Sequence, residues 1–210
     1  MTAAVIPQVS QPMSFEEFLA WDDGSERSFE LIDGFPMPLL EPTADHEDVA
    51  DGLCDFLKQH CIEYGLPYVP KRLKQVRLRT APGEPEKSRK PDIVVFDQVE
   101  WQQMKGKSIP AAAYVPPSMV VEVVSTNWQD DYLTKQAEYE TLGILEYWIV
   151  DYAALGGRRF IGNPKQPTVT VYTLVDAEYQ VAQFRGRDRI ISALLPNWTL
   201  TADQVMQFRD

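Results

Sequence analysis

Hydrophobic and polar positions along this chain fall into a few distinct spacings. Between Asp45 and Tyr64, the residues His46, Val49, Leu53, Leu57, Cys61 and Tyr64 recur every three or four positions. That period predicts a long amphipathic helix, stopped by Gly65. Asp130 to Leu142, closed by Gly143, predicts a second helix in which Tyr132, Lys135, Tyr139 and Leu142 share one face. Ser14 with Glu17 forms a capping-box pattern that opens a short helix toward Trp21, and another short helix is expected over 202–208. Ser28 to Ile32 and Phe35 to Leu40 flank Asp33-Gly34, the pattern of a hairpin with a two-residue turn. Leu73 to Arg79 alternates apolar residues with Lys, Gln and Arg, as a half-exposed strand does. Ile93 to Phe96, Met119 to Val124 and Glu146 to Val150 are short apolar runs of the kind buried on both faces. Two more strands are expected near 168–174 and 179–184, a charged loop over 81–90, and a Pro-rich connection between the first two buried runs. Together these predict an α/β domain: a mixed central β-sheet flanked by helices, spanning 14–210, with 1–13 as a flexible N-terminal arm.

Length and composition narrow the class further. With 210 residues, 44% hydrophobic and 24% charged, the chain can bury a full core without disulfides or a structural metal. Cys54 and Cys61 are seven apart in the predicted long helix. About 10 Å of rise separates them, beyond disulfide reach. Two reduced thiols fit a cytoplasmic protein. Neither a secretory signal pattern nor an apolar run able to span a bilayer is present: the long uncharged stretch Ser108 to Val121 is broken by Pro110, Pro116 and Pro117. No Walker, dinucleotide-glycine, zinc-ligand or G-x-S-x-G pattern occurs.

The informative anomaly is a carboxylate inside an apolar run. Glu122 interrupts Met119-Val120-Val121-Glu122-Val123-Val124. A lone buried carboxylate is costly, so it must be paired, protonated or bound to a metal. Asp92, after Pro91, stands at the mouth of the preceding buried run. If the two runs are neighbouring strands, both acids meet at one sheet edge, and with a backbone carbonyl they suit a hard divalent cation such as Mg²⁺. A plain buried ion pair explains Glu122 equally well, with Lys135 as its partner from the packing face of the second helix. On the residues alone, His46, on the apolar stripe of the long helix, reads as a packing residue, and Tyr139, one turn after Lys135, as a packing residue or a group that hydrogen-bonds such a site.

Lys90-Pro91-Asp92-Ile93-Val94-Val95, then Val121-Glu122-Val123-Val124-Ser125, then Lys135, Tyr139, Gly143 and Glu146-Tyr147-Trp148-Ile149-Val150-Asp151 resemble the Uma-type family. Phe29-Glu30-Leu31-Ile32-Asp33-Gly34 and His46 fit the same pattern, and the resemblance makes His46 a group that shapes the site near Glu30. These are bacterial proteins regarded as restriction endonucleases of the PD-(D/E)xK nuclease fold. The resemblance spans roughly residues 14 to 200, and the order and spacing of the short motifs carry it. It implies Mg²⁺- or Mn²⁺-dependent cleavage of DNA phosphodiester bonds by a cytoplasmic homodimer. Asp92 and Glu122 correspond to the metal-binding acids, the carbonyl of Val123 to a further ligand, and Glu30 to an additional acid. The superfamily's lysine position is Val124 here, and the resemblance makes Lys135, on the following helix, its replacement.

The charge balance, 20 Lys and Arg against 31 Asp and Glu, disfavours a general polyanion binder. It is uneven, however. Residues 71–90 hold eight basic residues against two acidic ones, and run straight into Asp92. Lys71, Arg72, Lys74, Arg77, Arg79 and Lys90 could deliver a DNA backbone to the site; a solvated basic face reads equally well. A smaller basic cluster holds Arg185, Arg187 and Arg189. Two further function classes compete: a catalytically silent nuclease-fold protein serving oligomerisation or partner binding, and a hydrolase of small phosphodiesters in a closed pocket.

Overall fold

The computed structural model describes residues 9–210. The apolar runs assemble into a six-stranded sheet of β3 (Tyr68–Arg72), β6 (Ile93–Asp97), β7 (Met119–Val123), β8 (Glu146–Asp151), β9 (Thr168–Val175) and β10 (Glu178–Phe184), in spatial order β10-β9-β8-β7-β6-β3. Only β7 and β8 pair in parallel; the remaining pairs are antiparallel. Beside it stands a four-stranded sheet, β2-β1-β5-β4, built from β1 (Phe29–Ile32), β2 (Phe35–Pro38), β4 (Val76–Arg77) and β5 (Ser88–Arg89). Helix α1 (Phe15–Ala20) opens with the Ser14–Glu17 capping box and buries Phe15 and Phe18 against this smaller sheet.

Alternation along the central strands sorts their side chains to two cores. Ile93, Val95, Val121, Val123 and Trp148 face the long helix α2 (Ala44–Glu63), which contributes Val49, Leu53, Leu57 and Cys61. Val94, Phe96, Val120, Val124, Tyr147 and Ile149 face the other way, onto Tyr132, Tyr139 and Leu142. Period two on strands meeting period 3.6 on helices gives the expected three-layer arrangement. Tyr64 alone leaves the long stripe: it lies just past the helix, 40% exposed, against the His60 ring.

Four features depart from the expected element map. The strand expected over 73–79 is instead two: β3 ends at Arg72, Leu73 adopts φ 52°, and the chain turns out of the large sheet to place Val76–Arg77 in the small one. The end of the 81–90 loop pairs with β1 and β4 as β5. Helix α3 (Gln98–Met104), capped by Asp97, lies within the Pro-rich connection; it buries no residue fully and packs only Trp101 and Met104 against the core, too few for a period to register. The second helix is continuous but begins as a π-helical segment, Asp130–Lys135, before α4 (Gln136–Leu142). Two short helices, α5 (Arg158–Ile161) and α6 (Ala202–Met206), complete the chain.

Both cysteines are free and buried. No helix among the described residues is long and apolar enough to cross a membrane. Most of the expected N-terminal arm lies outside the described residues; its end is held, since the Met13 N–H donates to the Gly34 carbonyl at 2.7 Å.

Candidate active site

The register of β6 against β7 pairs Ile93 with Val121. One step further out, Asp92 and Glu122 stand at the same rim of the sheet. Asp92 turns its Oδ2 across the rim to accept the Val123 N–H at 2.7 Å. Glu122 points to the opposite core, where its Oε1 accepts the Tyr139 hydroxyl at 2.8 Å and lies 3.1 Å from the Lys135 ammonium. Lys135 also meets Asp131 at 2.9 Å, one turn earlier in the π-helical segment. All four charged groups are buried. Among the described residues, Asp92 Oδ1 and Glu122 Oε2 accept no hydrogen bond.

The lysine that the superfamily carries two residues after its glutamate is here Val124, 1% exposed in the apolar core. Lys135 reaches the same carboxylate from the helix instead. From the other face, His46 in the first turn of α2 brings its Nε2 to 2.9 Å from the Val123 carbonyl and 3.5 Å from Asp92 Oδ2. A carbonyl can only accept, so this nitrogen carries a hydrogen. The other ring nitrogen is buried without a hydrogen-bond partner among the described residues.

Glu30 projects from β1 of the small sheet. Its two oxygens are both engaged, one by Arg89 Nη1 at 2.9 Å and the other by the Lys90 N–H at 2.9 Å. Arg89 also holds Glu138 of α4 at 2.7 Å and Asp130 at 3.3 Å. Arg89, Asp130, Asp131 and Glu138 were not singled out by the sequence reading. Asp131 had a signal, its i,i+4 spacing to Lys135; Arg89 was hidden in the basic run.

Electrostatics follow from the count of charges. Burial pushes Glu122 up to about 8; Lys135 opposes this, and Asp131 and Asp92 add to it. Burial likewise raises Asp92 above its ordinary value, against His46, the Val123 N–H and Lys135. It raises Asp131 too, with Lys135 again opposing. Burial works against the Lys135 charge, but Glu122, Asp131 and Glu30 hold it well above the ordinary lysine value. Tyr139 keeps its proton for the same reasons, burial first and then Glu122. The physical content is one ammonium shared among three acids: the amine stays charged, and Glu122 retains its proton near neutral pH.

Oxygen-rich, electron-hard donors with surplus negative charge suit a divalent cation. Two carboxylates and one carbonyl fit Mg²⁺, which keeps several of its waters; no group of three or more His, Cys, Asp or Glu side chains able to hold a metal occurs among the described residues. A cation must displace the retained proton. Affinity for Mn²⁺ is therefore expected to rise by about tenfold per pH unit for each proton released, flattening above the Glu122 value of about 8. Calorimetry in buffers of different ionisation enthalpy reads the proton directly; a pH-independent affinity with no proton release contradicts the charge count.

Of the six candidate DNA contacts, Arg72 is engaged by Glu47 and Asp51 and bonds the Asp92 carbonyl, and Arg77 is paired with Glu16 and Glu86. Lys71, Lys74, Arg79 and Lys90 have no acidic partner among the described residues; Lys71 lies over the Trp101 ring and Lys90 donates to Ser28. In the second cluster, Arg185 and Arg189 are bonded to Thr168 and to the Trp198 carbonyl. Two open grooves of about 500 Å³ run along α3 and β3, lined by residues such as Pro67, Gln98 and Val99, and neither includes any of the acid–lysine cluster.

A mixed sheet carrying two acids at the rim of adjacent strands, with a lysine delivered from the next helix, is a nuclease-like architecture. Its fold is similar to that of a crystal structure from Anabaena variabilis ATCC 29413, described as "a putative nuclease belonging to DUF820". The likeness covers 95% of this chain and 100% of that one, with TM-score 0.70 and 16% sequence identity. Residues 15–203 match Uma2, "Putative restriction endonuclease", and the chain belongs to that family. No curated protein matches it.

Proposed function

We propose that this chain is a Mg²⁺- or Mn²⁺-dependent endonuclease that hydrolyses DNA phosphodiester bonds. The observation that carries the reading is the pair of partnerless oxygens, Asp92 Oδ1 and Glu122 Oε2, on buried acids from adjacent strands, beside an ammonium fixed by two other contacts. Asp92, Glu122 and the Val123 carbonyl are the residues that would hold the metal. When bound, the ion polarises the scissile phosphate and acidifies a water.

The chain's own groups do the rest. Tyr139 and Lys135 fix the Glu122 carboxylate through Oε1, which leaves Oε2 for the ion. The Val123 N–H fixes Asp92 in the same way, and His46 orients the Val123 carbonyl. Lys135, anchored by Asp131, orients the attacking water and offsets negative charge that builds on the phosphoryl oxygens. Lys71, Lys74, Arg79 and Lys90 are the cations free to bind backbone phosphates ahead of Asp92.

Family membership supports this reading over a silent scaffold. The contacts of Lys135 also suit a core ion pair, so cleavage itself decides. Supercoiled plasmid incubated with Mg²⁺ or Mn²⁺ is expected to be nicked or linearised, and chelator is expected to stop it. Relaxation that persists in Asp92→Asn, or that needs no metal, contradicts the proposal.

A further inference from the structure

All six strands of the large sheet end or begin at the rim that carries Asp92 and Glu122. The register places there the end of β3, the start of β6 and the end of β7, then the end of β8 at Asp151, the start of β9 at Thr168 and the end of β10 at Phe184. The two acids therefore stand mid-rim. The basic run of 71–90 leaves from β3 and returns into β6, on one side of them. On the other side, the connection from β8 to β9 and the chain just past β10 bring Arg158, Arg159, Lys165 and Arg185 to the same rim.

These four cations are unlike most in the chain. Lys58, Arg72, Arg77, Lys87 and Arg89 are each paired with an acid; among the described residues, Arg158, Arg159, Lys165 and Arg185 form no such side-chain pair. From 152 to 175 the chain has three basic residues and no acidic one, in a protein of net charge −11. Arg158 and Arg159 are exposed. Arg159 lies over the Phe160 ring at 4.3 Å, and Lys165 donates to the Leu155 carbonyl at 2.9 Å. Arg185 donates to Thr168 Oγ1 at 3.0 Å, and its own N–H is accepted by Asp188. It borders the same turn, since a Cβ at Gly162 would lie 4.0 Å from its guanidinium.

The turn that carries the arginines is held from four directions. Asp151 accepts the Leu155 and Gly156 N–H groups at 2.8 and 2.7 Å. Phe160 stacks on Tyr132 at 4.5 Å, its carbonyl accepts Gln183 Nε2 at 2.6 Å, and Ile161 is fully buried. Trp128, from the connection that leaves β7, covers Gly157 so closely that a Cβ there would lie 2.9 Å from its ring. Charges on a fixed backbone lose little freedom when a ligand fastens them.

We propose that Arg158, Arg159, Lys165 and Arg185 bind backbone phosphates of the DNA on the side of the acids away from the 71–90 run, so that the duplex is gripped on both sides of the bond to be cut. This rests on the DNA reading above. Strands lie about 4.8 Å apart, so β8 to β10 end roughly 5–15 Å along the rim from β7. One DNA strand advances about 3.4 Å per phosphate, which puts these contacts roughly two to four phosphates from the scissile one. Such contacts position the duplex and carry no base information.

Fluorescence anisotropy of a labelled duplex, with Ca²⁺ replacing Mg²⁺ so that binding is read without cleavage, gives the affinity across a series of salt concentrations. Each phosphate contact contributes about 0.9 to the slope of log affinity against log salt, or about eightfold at 0.1 M relative to 1 M. Arg158→Ala with Arg159→Ala is expected to lower the slope by about 2 and to weaken binding about sixtyfold at 0.1 M salt. The Arg158 side chain donates no hydrogen bond among the described residues, so Arg158→Ala alone keeps the fold and is expected to cost about eightfold. Lys105→Ala with Lys107→Ala removes the same charge beyond α3, at the opposite end of β6; it is expected to leave the slope unchanged.

A double arginine variant that keeps the natural affinity and slope overturns the proposal, and leaves the nuclease reading standing if Mg²⁺-dependent cleavage persists. An equal loss in the Lys105 and Lys107 variant overturns it as well, since net charge would then explain the effect. A loss confined to the arginine variants of a protein that never cuts DNA supports the surface and ends the nuclease reading. No duplex bound by the natural protein at low salt overturns both.

Discussion

Replacing Lys135 by methionine is expected to lower phosphodiester cleavage by about 10²–10³-fold, the usual cost of removing one preorganised charge from a transition state. Metal binding is expected to survive and to tighten, because the change removes a positive charge 3.1 Å from Glu122. Stability separates this from a purely structural role. Breaking a buried ion pair ordinarily costs about 3–5 kcal/mol, through the charge left behind. Here Glu122 is already raised to about 8, so it takes a proton at neutral pH and leaves only unmade hydrogen bonds, a cost of about 1–3 kcal/mol. A folded Lys135→Met protein that cleaves at the natural rate would assign the lysine to the core alone. Denaturant melts and plasmid cleavage on the same preparation read both quantities.

The second large effect concerns the acids. Asp92→Asn and Glu122→Gln keep side-chain shape and an acceptor oxygen for the Val123 N–H and the Tyr139 hydroxyl, so both are expected to fold. Each removes the negative charge that holds a divalent ion. At roughly 100 times its Kd a bound ion adds about 2.7 kcal/mol of stability, which for a chain of this size is a shift of about 5–10 °C in Tm. That shift is expected with Mn²⁺ in the natural protein and is expected to vanish in either variant, together with cleavage. An Asp92→Asn protein that keeps the full shift would place the ion elsewhere.

Much of this arrangement was legible in the residues, for identifiable reasons. Glu122 stood out because a carboxylate within Val-rich sequence has to be compensated, and it is, by Lys135 and Tyr139. Lys135 could be aimed correctly because it stands at the N-cap of α4, four residues before Tyr139, so the α-helical i,i+4 step puts both on one face. The central strands were plain because strands covered by two helical layers are apolar throughout. The small sheet was less legible: β4 and β5 are two residues each, too short for alternation to register. Arg89 was invisible for a different reason. Its partners are Glu30, Asp130 and Glu138, between 41 and 59 residues away in sequence, and no periodicity links them. The basic run was read as a surface, yet Arg72 and Arg77 are tied to acids of α1, α2 and the 81–90 loop. A count of charges cannot distinguish a free cation from a paired one.

The central claim is that Asp92 and Glu122 hold one catalytic cation beside Lys135. Crystals grown with Mn²⁺ and measured at its absorption edge test this most directly. The account predicts an anomalous peak among the Asp92 and Glu122 side chains, the residues that would hold the ion, with the Lys135 ammonium still on Glu122. Density with no peak there under conditions that support cleavage, or a peak held by Glu30 in place of either acid, would contradict it.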